Sequence, residues 1–327
     1  MRLLQIGLGR FGQNHLRTWR KLAAEIVVCD HDPRHLAGVS ERTATNWLDV
    51  LDEVDAVDIV TPAHAHAEMI RTALARGKHV FVEKPVTSAS AEGFALAREA
   101  RARGLVLQVG HVFRFSPEAQ AVARSIRAGE LGRLRYAIAH FMSFKRPRTD
   151  GGIAISDGVH FVDLVSWLFG KQPTGVSAVL HDHLGRGTDD VAVLSLDYGA
   201  EKALVEAACF PPAGQRDLQV MGTEGAIACD FVGAADRVRH FAHRHVQGEN
   251  AAWSATEGAT RVLETPGEEP LLAELRAFLE ACGRGKASEI AADGFAGAAA
   301  VAVIEAACRS AREGRRIELA LPEEVRR

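Results

Sequence analysis

The sequence lacks the features that mark several common protein classes. Its 39 basic and 42 acidic residues leave a net charge of −3, so no basic excess favours a nucleic-acid partner. Charged residues interrupt the apolar runs short of the ~18 residues that a membrane-spanning helix needs. Residues 1–6 lead directly into glycines without a small-residue cleavage site, which argues against a signal peptide. We therefore expect a cytoplasmic protein with no nucleic-acid or membrane partner.

Cysteine is scarce, and histidine is present without a metal-binding pattern. The five cysteines are scattered and include no C-x-x-C pair, which favours reduced thiols over a disulfide framework. Three groups of histidines have superficially suitable spacings: His64/His66, His181/His183 and His240/His243/His245. No cysteine and no H-E-x-x-H pattern joins any of these groups, so no metal site is predicted.

Strand–helix alternation dominates the first third of the chain, and 327 residues make two domains the natural expectation. Ala-, Leu- and Arg-rich helical stretches separate five short apolar segments. These strand-like segments are Leu3–Leu8, Ile26–Cys29, Val57–Val60, His79–Val82 and Val106–Val109. Such alternation is typical of a parallel sheet covered on both faces by helices. It predicts an α/β domain over residues 1–118.

The pattern changes after Pro117. Residues 119–327 contain most of a helix at Glu118–Ala128, six strand-like segments with period-two alternation, a helix at Val159–Phe169, and two closing helices at Pro270–Cys282 and Gly294–Ala311. Residues 233–265 are polar and weakly patterned. We predict an α+β domain with a largely antiparallel sheet that is open on one face. Because an open apolar face needs a cover, the pattern also predicts a homodimer or homotetramer formed through this sheet.

A glycine motif follows the first predicted strand and opens the first predicted helix: Gly7-Leu8-Gly9-Arg10-Phe11-Gly12. The first glycine permits a tight turn, the second lets a pyrophosphate approach the backbone, and the third allows close helix–strand packing. The helix N-terminus supplies N–H groups for phosphates. This context predicts a Rossmann-type, dinucleotide-binding domain in which residues 7–12 contact the cofactor.

Asp30 closes the second predicted strand, 18 residues beyond Gly12. A carboxylate there accepts hydrogen bonds from ribose hydroxyls and repels a 2′-phosphate, which favours NAD over NADP. Arg34 lies four residues further on, and its guanidinium can pair with a phosphate or stack on adenine. NADP therefore stays open as an alternative.

From Glu83-Lys84-Pro85 onward, the sequence resembles the glucose-fructose oxidoreductase/inositol dehydrogenase family, also called Gfo/Idh/MocA. The resemblance spans essentially the whole chain, and it rests on motifs in a fixed order: the glycine turn, Thr61-Pro62 with His66, Glu83-Lys84-Pro85, Arg114-Phe115-Ser116-Pro117, a helix with Gly158, His160 and Asp163, and Gly222-Thr223-Glu224-Gly225. The family implies an NAD(P)-dependent oxidoreductase acting on a secondary hydroxyl of a sugar or nucleotide sugar. It also implies that Thr61, Pro62, His66, Glu83 and Lys84 lie at the cofactor.

The resemblance further implies that Lys84 and His160 flank the reacting carbinol. Oxidation of an alcohol requires removal of the hydroxyl proton as the hydride leaves, which a histidine or a lysine of lowered pKa can perform. The family places an Asp four residues before this histidine, where this chain has Ser156; Asp157 is three residues before. Asp157 is thus a candidate catalytic residue or, alternatively, a helix N-cap.

Basic residues before the His160 helix suggest how the substrate is held. Lys145 and Arg148 lie in a glycine-rich basic stretch that can hold a phosphate or carboxylate, and Arg114 is a further candidate substrate ligand. Two other functions stay open: an NAD-using glycoside hydrolase of the same family, and a non-catalytic regulator that binds the dinucleotide.

Overall fold

The computed structural model describes residues 1–22, 25–147, 151–233, 236–249 and 251–325. The chain forms two compact units: a first unit of Met1–Phe115 with Glu268–Ala302, and a second unit of Ser116–Gly267 with Val303–Arg327. Where the sequence suggests a single division near residue 118, the structure groups a late segment with the first unit.

The first unit contains a seven-stranded sheet in the order β3-β2-β1-β4-β5-β6-β17. Its strands are β1 (Arg2–Ile6), β2 (Glu25–Cys29), β3 (Arg42–Ala44), β4 (Ala56–Ile59), β5 (His79–Glu83), β6 (Leu107–Gly110) and β17 (Ala292–Asp293). Its helices are α1 (Arg10–Lys21), α2 (Pro33–Leu36), α3 (His66–Ala75), α4 (Ser90–Ala102) and α7 (Pro270–Arg284). All strands pair in parallel except β17, which is antiparallel to β6. This order is that of a Rossmann domain, as the sequence predicted.

Strand register brings the carboxyl ends of the central strands to one level. Ile6 of β1 is opposite Ile59 of β4, which in turn is opposite Val82 of β5. The strand order reverses between β1 and β4, and ligands of open α/β sheets bind outside the strand ends at such a point. The turns that follow β1, β4 and β5 therefore form one edge of the sheet.

An aromatic cluster explains why the late segment joins the first unit. Phe278 of α7 is fully buried and packs edge-on against Trp19 of α1 and Phe81 of β5, with ring centroids 6.5 and 5.7 Å apart. Burial of three large rings stabilises the packing of α7 on the first unit, although α7 comes late in the chain.

The second unit contains a nine-stranded sheet in the order β16-β13-β12-β11-β7-β10-β9-β8-β18. Its strands are β7 (Leu134–Met142), β8 (Gly175–His181), β9 (Val191–Asp197), β10 (Lys202–Ala208), β11 (Gln215–Gly222), β12 (Ala226–Asp230), β13 (Val238–Phe241), β16 (Thr260–Val262) and β18 (Ile317–Glu318); β14 (Arg244–Gln247) and β15 (Trp253–Thr256) form a separate hairpin. Among the strand pairs that the described residues form in this sheet, only β7–β10 is parallel. The largely antiparallel sheet is confirmed.

Buried and half-exposed side chains alternate along the strands, which is the pattern that predicted this sheet. On β7 and β10, Ala137 and Val205 are buried, whereas Ile138 and Leu204 are half-exposed. The strands between residues 236 and 265 were not predicted. β14, β15 and β16 are exposed at every position and show no alternation, whereas β13 alternates but is only four residues long.

Three helices complete the second unit. They are α5 (Pro117–Arg127), α6 (Val159–Phe169) and the second part of α8 (Gly294–Glu313), whose first part belongs to the first unit. By length and composition α8 could cross a membrane, but 67% of its most apolar window is buried inside the protein. A buried core helix meets the same criterion, so α8 is weak evidence for a membrane span.

Candidate active site

The glycine turn between β1 and α1 has the geometry that the motif predicts. Gly7 has a φ of +98°, and a Cβ there would lie 2.3 Å from the carbonyl oxygen of Val60. A Cβ on Gly12 would lie 2.2 Å from the carbonyl oxygen of Gly7. Both positions therefore require glycine, the first for conformation and close approach, and the second for packing of α1 on the turn. The buried side chain of Gln5 braces the turn by donating to the carbonyl oxygens of Gly7 and Gly12, at 3.0 and 2.8 Å.

The middle glycine faces open space. A Cβ on Gly9 would meet no atom within 4 Å, although its backbone (φ −62°) is accessible to any residue. Gly9 is also the N-cap of α1, where no described side chain accepts from the first-turn N–H groups. Arg10 and Phe11, the first residues of α1, are exposed. An open cradle with oriented N–H donors fits the pyrophosphate of a dinucleotide.

Asp30 is connected directly to this turn. Its carboxylate is 5% exposed and accepts hydrogen bonds from the backbone N–H of Leu8 (2.7 Å) and of Asp32 (2.9 Å). Burial alone would raise the pKa of Asp30, but these N–H donors and the nearby His35 lower it below its ordinary value. Asp30 is therefore ionised at neutral pH, as its predicted role toward ribose hydroxyls requires.

Arg34 has a partner within the protein. Its guanidinium donates to both carboxylate oxygens of Asp32, at 2.6 to 3.0 Å. Because this fork is already paired with an anion, a 2′-phosphate would have to compete with Asp32 for it. The pairing favours NAD, although Arg34 is exposed enough to change partners.

Thr61, Pro62 and His66 follow β4 at the same sheet edge. Pro62 is exposed and precedes the turn into α3, whose first residue is the buried His66. The Nε2 of His66 lies 2.9 Å from the carbonyl oxygen of Thr61. Burial lowers the pKa of His66 below its ordinary value despite these backbone contacts. Its position indicates that His66 shapes the turn, in agreement with a cofactor-positioning role.

Lys84 is half-buried at the end of β5, where the Lys84–Pro85 peptide bond is cis. Its backbone N–H donates to a carboxylate oxygen of the buried Glu83, 3.3 Å away. The structure thus places Lys84 at the same strand edge as the glycine turn, where a ligand of this sheet would bind.

Arg114 has a different environment from the one predicted. Its side chain is 5% exposed, and its guanidinium donates to the carbonyl oxygens of Ile290 and Ala291, each at 3.4 Å. These contacts anchor the segment that leads into β17. The position favours a structural role for Arg114 over the contact with substrate, which stays a prediction.

In the second unit, His160 lies on α6 and is 9% exposed. Its ring stacks on that of Phe141 from β7, with centroids 5.7 Å apart and planes 13° from parallel. Asp157, in the π-helical turn Ala154–Gly158 that precedes α6, is buried and forms an ion pair with Lys145. Asp157 is therefore engaged by a cation beside the histidine and does not act as a simple N-cap.

Two cations converge on the ring of Phe141. The Nζ of Lys145 lies 5.0 Å from its centroid, and the guanidinium carbon of Arg216, from β11, lies 4.7 Å from it. Cations at these distances are attracted by the aromatic face. His160, Asp157, Lys145 and Arg216 therefore form one polar cluster around Phe141. Arg148, the third predicted substrate ligand, lies outside the described residues.

A carboxylate fixes the start of this helical segment. Asp189 accepts from the backbone N–H of Ala154 at 2.7 Å, and its own carbonyl accepts from Ile153 at 2.8 Å. Burial raises the pKa of Asp189 above its ordinary value. Gln5, Phe141, Asp189 and Arg216 were all missed at the sequence level. Gln5 lies beside the glycine turn but belongs to no motif, and only the fold brings Phe141, Asp189 and Arg216 to the site residues. Among the residues the structure describes, no group of three or more His, Cys, Asp or Glu side chains is placed to hold a metal ion.

Comparison with known proteins matches both halves of the chain to one family. A family model described as "Oxidoreductase family, NAD-binding Rossmann fold" matches residues 1–111, and one described as "Oxidoreductase family, C-terminal alpha/beta domain" matches residues 123–319. A scyllo-inositol 2-dehydrogenase (NAD(+)) of Bacillus subtilis (strain 168) is 30% identical over 310 residues, covering 88% of this chain and 87% of the relative.

Two further matches agree with the first. The rhizopine catabolism protein MocA of Rhizobium meliloti is 31% identical over 280 residues, covering 80% of this chain and 88% of the relative. Among solved structures, UDP-N-acetylglucosamine 3-dehydrogenase GnnA from Acidithiobacillus ferrooxidans superposes with a TM-score of 0.80 at 24% identity, covering 96% of this chain and 98% of that one. At that identity the likeness shows the fold alone.

Proposed function

The chain belongs to the Gfo/Idh/MocA family of oxidoreductases with an NAD-binding Rossmann fold, and from that membership we propose how its residues oxidise a sugar-like substrate. The protein is an NAD-dependent dehydrogenase that acts on CH–OH groups. We propose that the substrate is a cyclic polyol, a sugar or a nucleotide sugar, oxidised at a secondary hydroxyl to a ketone or formed in the reverse reaction.

The observation that carries this proposal is the open glycine turn at the switch point of the sheet, with Lys84 at the same strand edge. A turn that only joined a strand to a helix would not need an open cradle at Gly9. NAD, when bound, accepts the hydride from the substrate carbon. The protein must therefore hold the substrate, exclude water and remove the hydroxyl proton.

We assign the proton to Lys84 and His160. A lysine ammonium can donate a hydrogen bond to the substrate oxygen and stabilise the negative charge that develops on it. A neutral imidazole can accept the hydroxyl proton as the carbon–hydrogen bond breaks, and returns it in the reverse direction. The stacking of His160 on Phe141 restrains the plane of the imidazole that would accept this proton.

In this proposal Asp157 and Lys145 support the proton transfer at His160. Asp157 stabilises the imidazolium that forms at His160, and its ion pair with Lys145 limits how far the carboxylate can turn. Lys145 and Arg216 give the cluster a net positive character, which suits a phosphate or carboxylate on the substrate. This charge favours a nucleotide-linked or acidic sugar over a neutral polyol.

We also propose that NAD is preferred over NADP, that the protein is cytoplasmic, and that it is a homodimer or homotetramer. The Asp32–Arg34 pair supports the cofactor preference, and the five free cysteines, four of them buried, support a reducing compartment. The half-exposed apolar side chains on one face of the nine-stranded sheet support an oligomer, because a second copy would remove them from water.

A substrate panel tests the proposal. Free polyols, free sugars, sugar acids and nucleotide sugars would be incubated with NAD or NADP, and turnover followed at the nicotinamide absorbance. Turnover with at least one class, higher with NAD, supports it. Release of free sugar without net absorbance change would indicate a glycoside hydrolase instead. Tight dinucleotide binding without turnover of any compound would indicate a regulator.

A further inference from the structure

A buried polar cluster in the first unit contacts the backbone of Lys84, and of its three residues only Glu83 belongs to a motif named above. It consists of His15 from α1, Asp58 from β4 and Glu83 from β5. The Nδ1 of His15 lies 2.9 Å from a carboxylate oxygen of Asp58, and its Nε2 lies 3.3 Å from a carboxylate oxygen of Glu83. The side chains of His15 and Asp58 are fully buried. Such a cluster is costly to bury and calls for a compensating role.

The geometry favours a doubly protonated imidazole. Nδ1 is hydrogen-bonded to the carboxylate of Asp58, and Nε2 faces the carboxylate of Glu83 in an ion-pair contact, so two anions surround the ring and stabilise its charged form. Asp58 and Glu83 are the charged groups that face the ring, and the rings of Phe11 and Phe81 pack edge-on against it, with centroids 5.2 and 5.8 Å away. Burial alone would lower the pKa of His15, but the two carboxylates outweigh it and raise the pKa to about 10.

The cluster has two carboxylate arms, Asp58 and Glu83, which contact different parts of the first unit. The Asp58 arm ends in the core, where the indole N–H of Trp19 donates to the same Asp58 oxygen at 2.7 Å. The Glu83 arm leads to the site, because the other Glu83 oxygen accepts the backbone N–H of Lys84. Glu83 is also closely packed: a Cβ on Gly110 would lie 2.5 Å from its Oε1.

We propose that His15 is a positioning residue for Lys84. Its imidazolium holds one oxygen of Glu83, which leaves the other oxygen directed at the Lys84 N–H and fixes the backbone from which the Lys84 side chain extends. The imidazolium also offsets the charge of Glu83, so that this carboxylate stabilises the Lys84 ammonium less than an isolated neighbour would. The inference rests on the proposed function, in which Lys84 contacts the substrate oxygen.

The test compares a variant that removes the imidazolium with a variant that disturbs only the Asp58 arm. In His15→Gln/Asp58→Asn, one buried cation and one buried anion are removed together, which leaves Glu83 without its charged partner. Trp19→Phe removes the hydrogen bond to Asp58 and part of a buried ring but leaves His15, Asp58 and Glu83 in place, and it serves as the control. Thermal unfolding, NADH affinity, kcat, KM and the pH dependence of kcat would be measured for each.

We expect the double variant to lose roughly 10- to 100-fold in kcat with a smaller change in substrate KM, because Lys84 is displaced. Its pH–kcat profile should also move to higher pH, because an uncompensated Glu83 raises the pKa of a neighbouring ammonium. Trp19→Phe should lose stability while keeping the wild-type kcat and pH profile. A double variant with the kcat and pH profile of the wild type would overturn the proposal.

A measurement on the unmodified protein covers the case in which the double variant does not fold. Nitrogen-15 NMR of histidine-labelled wild-type protein distinguishes a doubly protonated ring from either neutral tautomer. We expect one buried histidine to stay doubly protonated from pH 7 to about pH 9. A neutral His15 at pH 7 would refute the arrangement. Because this result does not depend on turnover, it stays informative if the substrate panel fails and the proposed function with it.

Discussion

The Nδ1 of His66 lies 2.8 Å from the carbonyl oxygen of Pro85, the residue that follows Lys84. Since the Nε2 of the same ring faces the carbonyl of Thr61, the imidazole bridges the turn after β4 and the turn after β5. The backbone around Lys84 is thus held on both sides, by Glu83 at its N–H and by His66 one residue later. Fixed backbone on either side is what a residue needs to present one side chain in one orientation.

Substitution of the two residues proposed to handle the proton should reduce turnover without weakening cofactor binding. We expect Lys84→Ala and His160→Ala each to reduce turnover by about 10²- to 10⁴-fold while NADH affinity changes little, because neither is needed to hold the pyrophosphate. Steady-state kinetics and NADH fluorescence titration check this. Lys21→Ala and His64→Ala, both exposed positions, are the controls. Full activity in either site variant would remove that residue from the mechanism.

The glycine turn offers two substitutions with opposite expected effects. Gly9→Ala should leave the melting temperature unchanged, since its Cβ enters open space, but should weaken NADH binding by about tenfold or more. Gly12→Ala should instead destabilise the fold by about 1–3 kcal/mol, because its Cβ would overlap the Gly7 carbonyl. Fluorescence titration and thermal unfolding distinguish the two. Unchanged NADH affinity in Gly9→Ala would contradict the pyrophosphate assignment.

Lys145 should discriminate between charged and neutral substrates. We expect Lys145→Met to raise KM about tenfold for a nucleotide-linked or acidic sugar and to change KM for a neutral sugar much less. Arg146→Met removes the same charge from the adjacent, exposed position and is the matched control. Equal effects on charged and neutral substrates would show that Lys145 acts only through Asp157.

The His15 imidazolium should appear in the pH dependence of stability. Because its folded pKa, about 10, lies above its ordinary value of 6.5, its contribution is fully present below pH 6.5 and is lost as the pH rises through 10. The free energy of unfolding would be measured by denaturant titration from pH 6 to 10.5. We expect the gap between wild type and His15→Gln to narrow by a few kcal/mol across this range. If the free energies of unfolding of the two proteins changed with pH in parallel, the assignment of the His15 imidazolium would be wrong. Titration of the cysteine thiols does not affect the comparison, because both proteins carry the same cysteines.

The open face of the sheet predicts where copies of the chain meet. Ile138 and Leu204 are half-exposed neighbours across the parallel β7–β10 pair. We expect Ile138→Lys/Leu204→Glu to preserve the sheet, since opposite charges tolerate this pairing, and to lower the oligomeric state. Light scattering after size-exclusion chromatography measures it, with Leu48→Glu as an exposed control in the first unit. A double variant with the mass of the wild-type oligomer would place the interface elsewhere.

The sequence by itself determined the Rossmann topology, the glycine turn and most strand and helix positions. These features depend on local patterns: residues 7–12 are contiguous, and both apolar alternation and helical periodicity are visible within a few residues. The exposed strands β14, β15 and β16 were not predicted, because their side chains alternate in neither burial nor polarity.

Only the tertiary structure decided which distant side chains meet. His160 and Arg216 both contact the ring of Phe141, although 75 residues separate Phe141 from Arg216, and His15, Asp58 and Glu83 meet from one helix and two strands. Residues 268–302 join the first unit because Phe278 is buried against Trp19 and Phe81. Local periodicity specifies which face of an element is buried but not its partner, since the partner is chosen by packing and by charge compensation over the whole unit.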